Sequence, residues 1–111
     1  MILEFRVYTL VAGSRAAFQQ RFDEQILPML ERFGIKVVAA GPSLHDSDSF
    51  SLIRAFSSLE ARQQQLDRFY GSEEWLTGHD ADVMAMIDHY STCVIEADEA
   101  AVDALVEGTS R

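Results

Sequence analysis

Cysteine is almost absent from this 111-residue chain, which holds a single thiol at Cys93. An intrachain disulfide and a thiolate metal cluster are therefore excluded. Because Cys93 falls in a predicted strand and free cysteines are usually buried, we expect it to be a small core residue. No apolar run approaches the ~20 residues that a membrane span needs, and the strand pattern begins at Ile2 without a signal segment, so we expect a cytoplasmic protein.

Basic residues are also scarce, since 9 Lys and Arg stand against 18 Asp and Glu and give a formal net charge of −9. A chain without a basic stripe cannot neutralise many phosphates, so neither nucleic acid nor an anionic membrane is an expected partner. The hydrophobic content of 48% and the charged content of 24% are ordinary for a globular protein, so one folded domain is predicted.

Motifs that bind cofactors are missing as well. The chain has no nucleophile elbow, phosphate loop, zinc spacing or dinucleotide fingerprint, so we expect no cofactor. A histidine lies beside carboxylates at two places, His45 with Asp46 and Asp48, and His79 with Asp80. Turn carboxylates usually bond their own backbone and one loop offers too few ligands, so we expect no metal at the first place. At the second, Asp80 is predicted to cap a short helix.

Hydrophobic periodicity divides the chain into strands and helices. Alternation predicts strands at 2–10, 35–40, 50–56 and 90–97. Helical spacing predicts a helix after the first strand and another after the third, with a short helix at 80–88. The order βαββαβ predicts an α+β, ferredoxin-like domain over 1–98, with a four-stranded antiparallel sheet, strands one and three in its centre, and helices on one face. Residues 99–111 are predicted to be a C-terminal tail with one short helix.

Small polar residues and glycine mark the predicted helix ends. Gly34 is a natural left-handed stop for the first helix. Ser57 and Glu60 have the spacing of a capping box at the start of the second helix. Ser72, followed by two carboxylates, is predicted to cap a further turn that carries Trp75.

The period of two along each strand assigns side chains to the two faces of the sheet. Tyr8, Phe50, Leu52 and Phe56 are predicted to lie on the face away from the helices. Four such side chains exceed the apolar patch that a monomer usually exposes, so a second copy should cover them. We therefore predict a homodimer through its sheet faces, a dimeric α+β barrel. The alternative is that the C-terminal segment folds back over this face.

Charged residues share that predicted face. Glu4, Arg6 and Arg54 have the parity of Tyr8, and neighbouring strands bring Arg54 within reach of Glu4 or Arg6. One interpretation is an ion pair that ties the sheet together or fixes the dimer, since unpaired charges would be costly there. The other is a polar floor of a barrel cavity, where an arginine binds an anionic or carbonyl-bearing ligand. The second interpretation makes Arg6, Tyr8 and Arg54 ligand-binding candidates.

Trp75 is the fourth ligand-binding candidate, in an aromatic cluster with Phe69 and Tyr70. Its indole needs a partner for its N–H and is rarely fully buried, which favours packing at the mouth of the barrel over lining a pocket.

Three motifs in order carry a family resemblance: Glu4-x-Arg6-x-Tyr8-Thr9-Leu10, Arg54-Ala-Phe-x-Ser-x-Glu60-x-Arg62 and Phe69-Tyr70-x-Ser72-x-x-Trp75. Together they resemble the NIPSNAP family over residues 1 to about 98. The resemblance implies the same ferredoxin-like fold and the dimeric α+β barrel. The wider superfamily of such barrels includes cofactor-independent monooxygenases and haem-degrading enzymes, but no Asn-Trp-His constellation for haem breakdown can be placed in this chain.

Three functions follow as hypotheses. The first is a small-molecule-binding barrel of unassigned ligand, with a small hydrophobic or acidic molecule as its partner. The alternative is a cofactor-independent monooxygenase-like enzyme on a phenolic or polycyclic substrate, in which Arg6 or Arg54 stabilises the substrate anion and Tyr8 or His89 relays a proton. The third is a structural or partner-binding dimer without a ligand.

Overall fold

The computed structural model describes residues 1–109, which form one four-stranded sheet and its covering helices. The strands are β1 Ile2–Leu10, β2 Lys36–Pro42, β3 Ser49–Phe56 and β4 Ile87–Glu96. The helices are α1 Arg15–Arg21, α2 Leu27–Arg32, α3 Leu59–Tyr70, α4 Glu73–Gly78, α5 Asp80–Ala85 and α6 Glu99–Gly108. The sheet order is β2-β3-β1-β4 and every neighbouring pair is antiparallel, which confirms the predicted ferredoxin-like topology with strands one and three in the centre.

The fourth strand begins three residues before the predicted start. A register shift between Thr9 and Leu10 lets β1 keep pairing with β4 as far as Ile87. The preceding helix α5 consequently ends at Ala85, short of the predicted end at Asp88.

The first helical region is interrupted by a π-helical segment, Phe22–Ile26, which joins α1 to α2. Pro28 stands in the first turn of α2, where its missing N–H is tolerated. Gly34 ends the region with a φ of 75°, which confirms its role as a left-handed stop.

The start of α3 differs by one residue from the prediction. The capping side chain is that of Ser58, whose hydroxyl accepts the backbone N–H of Ala61 at 3.0 Å, so the assignment of the cap to Ser57 is wrong. The spacing to Glu60 favours Ser57, but the backbone at the end of β3 places Ser58 in the extended conformation of the cap residue. Ser72 does cap α4, by accepting the backbone N–H of Trp75 at 3.2 Å.

The two faces of the sheet are the reverse of those predicted. Tyr8, Phe50, Leu52 and Phe56 lie in the core beneath the helices. The ring of Phe50 lies 5.1 Å from that of Phe18 and 5.3 Å from that of Phe22, measured between ring centroids. The prediction was wrong because it took Glu4, Arg6 and Arg54 as too costly to bury under helices, whereas the structure neutralises most of that cost with partners described below.

The opposite face, here called the open face, carries the odd-numbered residues of β1 and their cross-strand neighbours. Helix α6 covers one end of it, where Val102 is fully buried against Leu3, Val38 and Ala55. The alternative in which the C-terminal segment folds back over the face away from the helices therefore holds for this end, although that face carries Leu3, Val38 and Ala55 and not the residues predicted for it. Thr109 fastens the helix by donating its hydroxyl to the carbonyl of Val38 at 2.8 Å.

No element within residues 1–109 covers the other end of the open face. Val7 is 40% exposed and Ile95 is 47% exposed. Cys93, on the same face, is also exposed, so the expectation that it lies in the core is wrong. Its strand β4 is at the edge of the sheet, and in the described part of the chain Cys93 is left exposed there.

None of the helices within residues 1–109 combines the length and the apolar character needed to cross a membrane.

Candidate functional site

A cavity of about 580 Å³ lies between the sheet and the helices α3, α4 and α5. The sheet contributes Arg6, Tyr8 and Tyr90, and the helices close the other side. Its walls are mostly aromatic and aliphatic; the helix side and the start of β4 supply Leu66, Tyr70, Trp75, Val83, Met84 and Ile87. Two carboxylates, Asp67 and Asp80, also border it. A mainly apolar concavity with a few polar groups has the usual character of a small-molecule site.

The aromatic wall is held in place by the chain turn between α3 and α4. The Ser72 hydroxyl caps α4 and thereby fixes the backbone of Trp75. The Trp75 indole packs edge-on against Tyr70, with 5.0 Å between ring centroids and 89° between ring planes. Its N–H donates to Asp80 Oδ1 at 3.0 Å. Asp80 is therefore the hydrogen-bond partner of the indole. The residue at the N-cap of α5 is His79, so the prediction that Asp80 caps this helix is wrong.

A buried ion cluster lies beside the cavity, centred on the carboxylate of Glu4. The Arg54 Nε donates to Glu4 Oε1 at 2.7 Å, and the Arg62 Nε donates to Glu4 Oε2 at 2.6 Å. Arg54 also donates from Nη1 to the Tyr70 hydroxyl at 3.0 Å. Because Glu4 and Arg54 have no solvent-exposed area, their interaction is shielded from water.

The electrostatics of this cluster keep Glu4 ionised. Burial alone would raise the pKa of the Glu4 carboxyl, but the charges of Arg54 and Arg6 and the hydrogen bonds from Arg54 and Arg62 lower it below its ordinary value of 4.5. Arg54 Nη2 lies 2.5 Å from Glu4 Oε1 without forming an aligned hydrogen bond. Within residues 1–109, it is the buried side-chain polar atom left without a hydrogen-bond partner.

Arg6 is bound to this cluster more loosely than the other two arginines. Its Nη2 is 3.9 Å from Glu4 Oε2, and its Nε donates to the Thr92 hydroxyl at 3.3 Å. Its guanidinium lies over the Tyr90 ring, 4.9 Å from the centroid, in a cation–π contact. Arg6 therefore presents a positive charge to the cavity that Glu4 neutralises only in part.

Tyr8 borders the cavity from the central strand. Burial raises the pKa of its phenol, and the neighbouring Tyr70 adds to the rise, while the positive charges of Arg6 and Arg54 oppose it. The raised pKa keeps the phenol protonated at neutral pH, so Tyr8 is able to donate a hydrogen bond to a ligand but is a poor base.

The structure brings three of the four sequence-predicted candidates to one cavity: Arg6, Tyr8 and Trp75. Arg54 lies behind them and reaches the cavity wall through its hydrogen bond to Tyr70. Because all of these residues are on the helix-covered face, the cavity belongs to one chain and is not enclosed between two sheets. Whether any of the four binds a ligand stays a prediction.

His89 lies away from the cavity, contrary to its suggested role as a proton relay. It pairs in register with Thr9 on the open-face parity, and its side chain is 69% exposed beside Asp88. Its position excludes direct proton transfer to a molecule in the cavity.

Two residues that complete the site were missed by sequence reasoning as members of it. Arg62 was noted only within a motif, and Tyr70 only as a packing residue. Both belong to α3. Arg62 contacts Glu4, which is 58 positions away in the sequence, and Tyr70 contacts Arg54, which is 16 positions away. The available signal was the excess of arginine over acid in the motifs around Glu4, Arg54 and Arg62.

The loop between β2 and β3 uses its acidic residues for local structure. Asp46 Oδ1 accepts the backbone N–H of Asp48 at 2.9 Å and that of Ser49 at 2.7 Å, as predicted for a turn carboxylate. These bonds lower the pKa of Asp46. Within residues 1–109 no group of three or more His, Cys, Asp or Glu side chains is arranged to hold a metal ion.

Comparison with known proteins agrees with this architecture. The NIPSNAP family model matches residues 3–96, which ends before α6. A NIPSNAP domain protein from Burkholderia xenovorans superimposes with a TM-score of 0.78 at 15% identity, covering 89% of this chain and 96% of its own. A NIPSNAP family protein from Agrobacterium tumefaciens gives 0.78 at 22% identity, covering 87% of each chain.

A solved structure named for an enzyme activity shares the same fold. A protein from Nitrosomonas europaea, provisionally assigned as an antibiotic biosynthesis monooxygenase, superimposes with a TM-score of 0.66 at 13% identity. The match covers 87% of this chain and 98% of that one. No curated protein matches the sequence.

Proposed function

The chain belongs to the NIPSNAP family, and we propose that it binds a small, largely apolar molecule in the cavity between β1 and the helices α3 to α5. The observation that carries this proposal is the cavity itself, about 580 Å³ in volume and walled by Tyr8, Tyr70, Trp75 and Tyr90. Its volume is within the range of small-molecule sites, and aromatic walls suit a flat ligand.

The wall is also preorganised. Trp75 is fixed by the Ser72 cap, by Tyr70 and by Asp80, so a ligand would meet a formed surface and would not have to order it. Preorganisation of this kind lowers the entropic cost of binding.

Trp75 supplies the means to test the proposal, because it is the chain's single tryptophan and borders the cavity. Aromatic compounds that enter the cavity should change its fluorescence with a saturable, one-to-one dependence on concentration. Val83→Phe, which places a larger ring in the cavity wall, should weaken that response. Val11→Phe is the matched control, because Val11 is exposed and does not border the cavity. Equal binding by both variants would contradict the assignment of the site.

The open face supports a second part of the proposal, a homodimer in which one copy covers the exposed end of the other. Val7 and Ile95 are exposed there, with Phe5 and Ile53 partly buried beside them. These residues replace Phe50, Leu52 and Phe56 as the predicted interface. Sedimentation at micromolar concentration should give a dimer, and a monomer would remove this part of the proposal.

A monooxygenase activity is the second candidate function. It is favoured by the fold shared with the protein from Nitrosomonas europaea and by Arg6, which lies at the cavity where it would stabilise a substrate anion. In such a reaction an anthrone-type CH₂ group and O₂ would give a ketone and water. Oxygen consumption that matches ketone formation would support it; binding without turnover would leave a binding protein. A chain that binds nothing in the cavity would instead be a structural dimer.

A further inference from the structure

Positive charge accumulates at the sheet end of the cavity, although the chain as a whole has a net charge of −9. Three guanidinium groups, those of Arg6, Arg54 and Arg62, surround the one carboxylate of Glu4. The cluster therefore holds two positive charges in excess. Three of the few basic residues surround a single buried acid. They create a positive local potential, in contrast to the negative net charge of the chain.

One of these two excess charges lies at Arg6, beside the cavity. Both oxygens of Glu4 already accept short hydrogen bonds, Oε1 from Arg54 and Oε2 from Arg62. Arg6 has only the 3.9 Å contact with that carboxylate, and of the three arginines it is the one that lines the cavity. The Arg6 N–H groups that are not bonded to Thr92 are therefore the donors of the cluster that can bind a ligand in the cavity.

The carboxylates that border the cavity do not cancel this charge from the same side. Asp80 belongs to the helix side and accepts the Trp75 indole N–H. Asp67 is an exposed residue of α3 and accepts the side-chain amide of Gln63 at 2.8 Å. The sheet side, in contrast, contributes Arg6 together with the protonated hydroxyl of Tyr8, and both are donors.

We propose that the ligand of this cavity is an aromatic oxyanion, a carboxylate or phenolate whose charged oxygen binds Arg6 and Tyr8 while its rings lie against Trp75 and Tyr90. This inference rests on the proposed function, because it names the class of molecule that the cavity takes. Arg54 and Arg62 hold Glu4 away from Arg6 and so keep the guanidinium available. The raised pKa of Tyr8 fits the same arrangement, since a protonated phenol donates to an anion.

The test compares 2-naphthoate with 2-naphthamide, a neutral molecule of nearly the same shape, by isothermal titration calorimetry at neutral pH. Wild-type protein should bind the carboxylate at least about tenfold more tightly, the scale of one charge-assisted hydrogen-bonded contact. Arg6→Gln should abolish that preference and leave the affinity for the amide within about twofold. Arg6→Lys keeps the charge and should retain most of the preference.

Arg15→Gln is the matched control. It removes the same charge, but Arg15 donates to the loop carbonyls of Ser43 and Asp46 and does not border the cavity. Its preference for the carboxylate should equal that of the wild type. Thermal melts of all variants establish that each is folded before binding is compared.

The possible results separate the oxyanion inference, the assignment to Arg6 and the proposed function. Equal affinity of the wild type for both compounds would leave the cavity as a binding site and overturn the oxyanion inference. A preference that survives Arg6→Gln would overturn the assignment to Arg6. No binding of either compound would overturn both the oxyanion inference and the proposed function for aromatic ligands.

Discussion

The two faces of the sheet differ in what covers them and in the charges that they carry. The helix-covered face carries Glu4 and Arg54, which have no exposed area. The open face carries Val7 and Ile95, which are 40% and 47% exposed in the single chain. The first face buries a charged pair within its apolar core because α3 supplies partners to that pair. The second leaves apolar side chains exposed at this end because no element within residues 1–109 covers them.

A charge can be buried beneath the helices when enough partners bind it there. The free-energy cost of burying the Glu4 carboxylate alone under a helix would be prohibitive. Here each of its two oxygens accepts a hydrogen bond, one from Arg54 and one from Arg62. Part of the surplus positive charge lies at Arg6, which borders the cavity.

The largest difference between the two faces should appear when the same charge is placed on each of them. Leu52→Asp puts an unpaired carboxylate into the core under the helices and should cost about 5 kcal/mol of unfolding free energy, enough to unfold the chain. Val7→Asp should leave the chain folded and dissociate the proposed dimer. Urea denaturation and sedimentation measure the two effects, and similar destabilisation by both variants would contradict the assignment of the faces.

Removal of a central charge should have the next largest effect. Arg54→Met leaves Glu4 buried with one partner fewer and the Tyr70 hydroxyl without its donor, so we expect a loss of about 3 kcal/mol by urea denaturation. Arg32→Met is the control, because Arg32 pairs with Glu74 on the surface and should change stability little. An unchanged Arg54→Met midpoint would show that the buried cluster is not structural.

Acid should destabilise the protein through the buried carboxylate of Glu4. The folded-state pKa of Glu4 is lowered, so its contribution to stability is fully present above its ordinary pKa of 4.5 and is lost as the pH falls below that value through the folded-state pKa. Urea midpoints measured between neutral pH and pH 3 should therefore fall less steeply for Glu4→Gln than for wild type. Identical slopes would mean that Glu4 is not stabilised as an anion.

The smallest expected effect separates two adjacent serines. Ser58→Ala should cost about 1 kcal/mol because it removes the hydroxyl that accepts the Ala61 N–H. Ser57→Ala should leave the melting temperature unchanged. The reverse result would restore the cap to Ser57.

The order and pairing of the elements could be predicted from the sequence because they depend on local signals. Alternation in β1 and β3, helical spacing, and Gly34 together specify a βαββαβ chain and leave few topologies. The caps at adjacent serines and the start of β4 could not be fixed, since they depend on backbone direction and on the shift after Thr9.

Sequence reasoning grouped three residues that border the cavity, but it placed them on the wrong face of the sheet and left out Arg62 and Tyr70. Arg6, Tyr8 and Trp75 were identified as candidates, and the cavity joins them. The parity of β1 and β3 correctly grouped Arg6 with Arg54, but it could not say which face the helices cover. Arg62, which pairs with Glu4 on that face, contacts it only once α3 is docked, so the sequence pattern does not show this partner.

The most direct measurement is a crystal structure of the protein grown with 2-naphthoate. The account predicts the molecule between Arg6 and Trp75, on the helix-covered face, with its carboxylate at the Arg6 guanidinium. Binding instead on the open face, between Val7 and Ile95 of one or two copies, would contradict it.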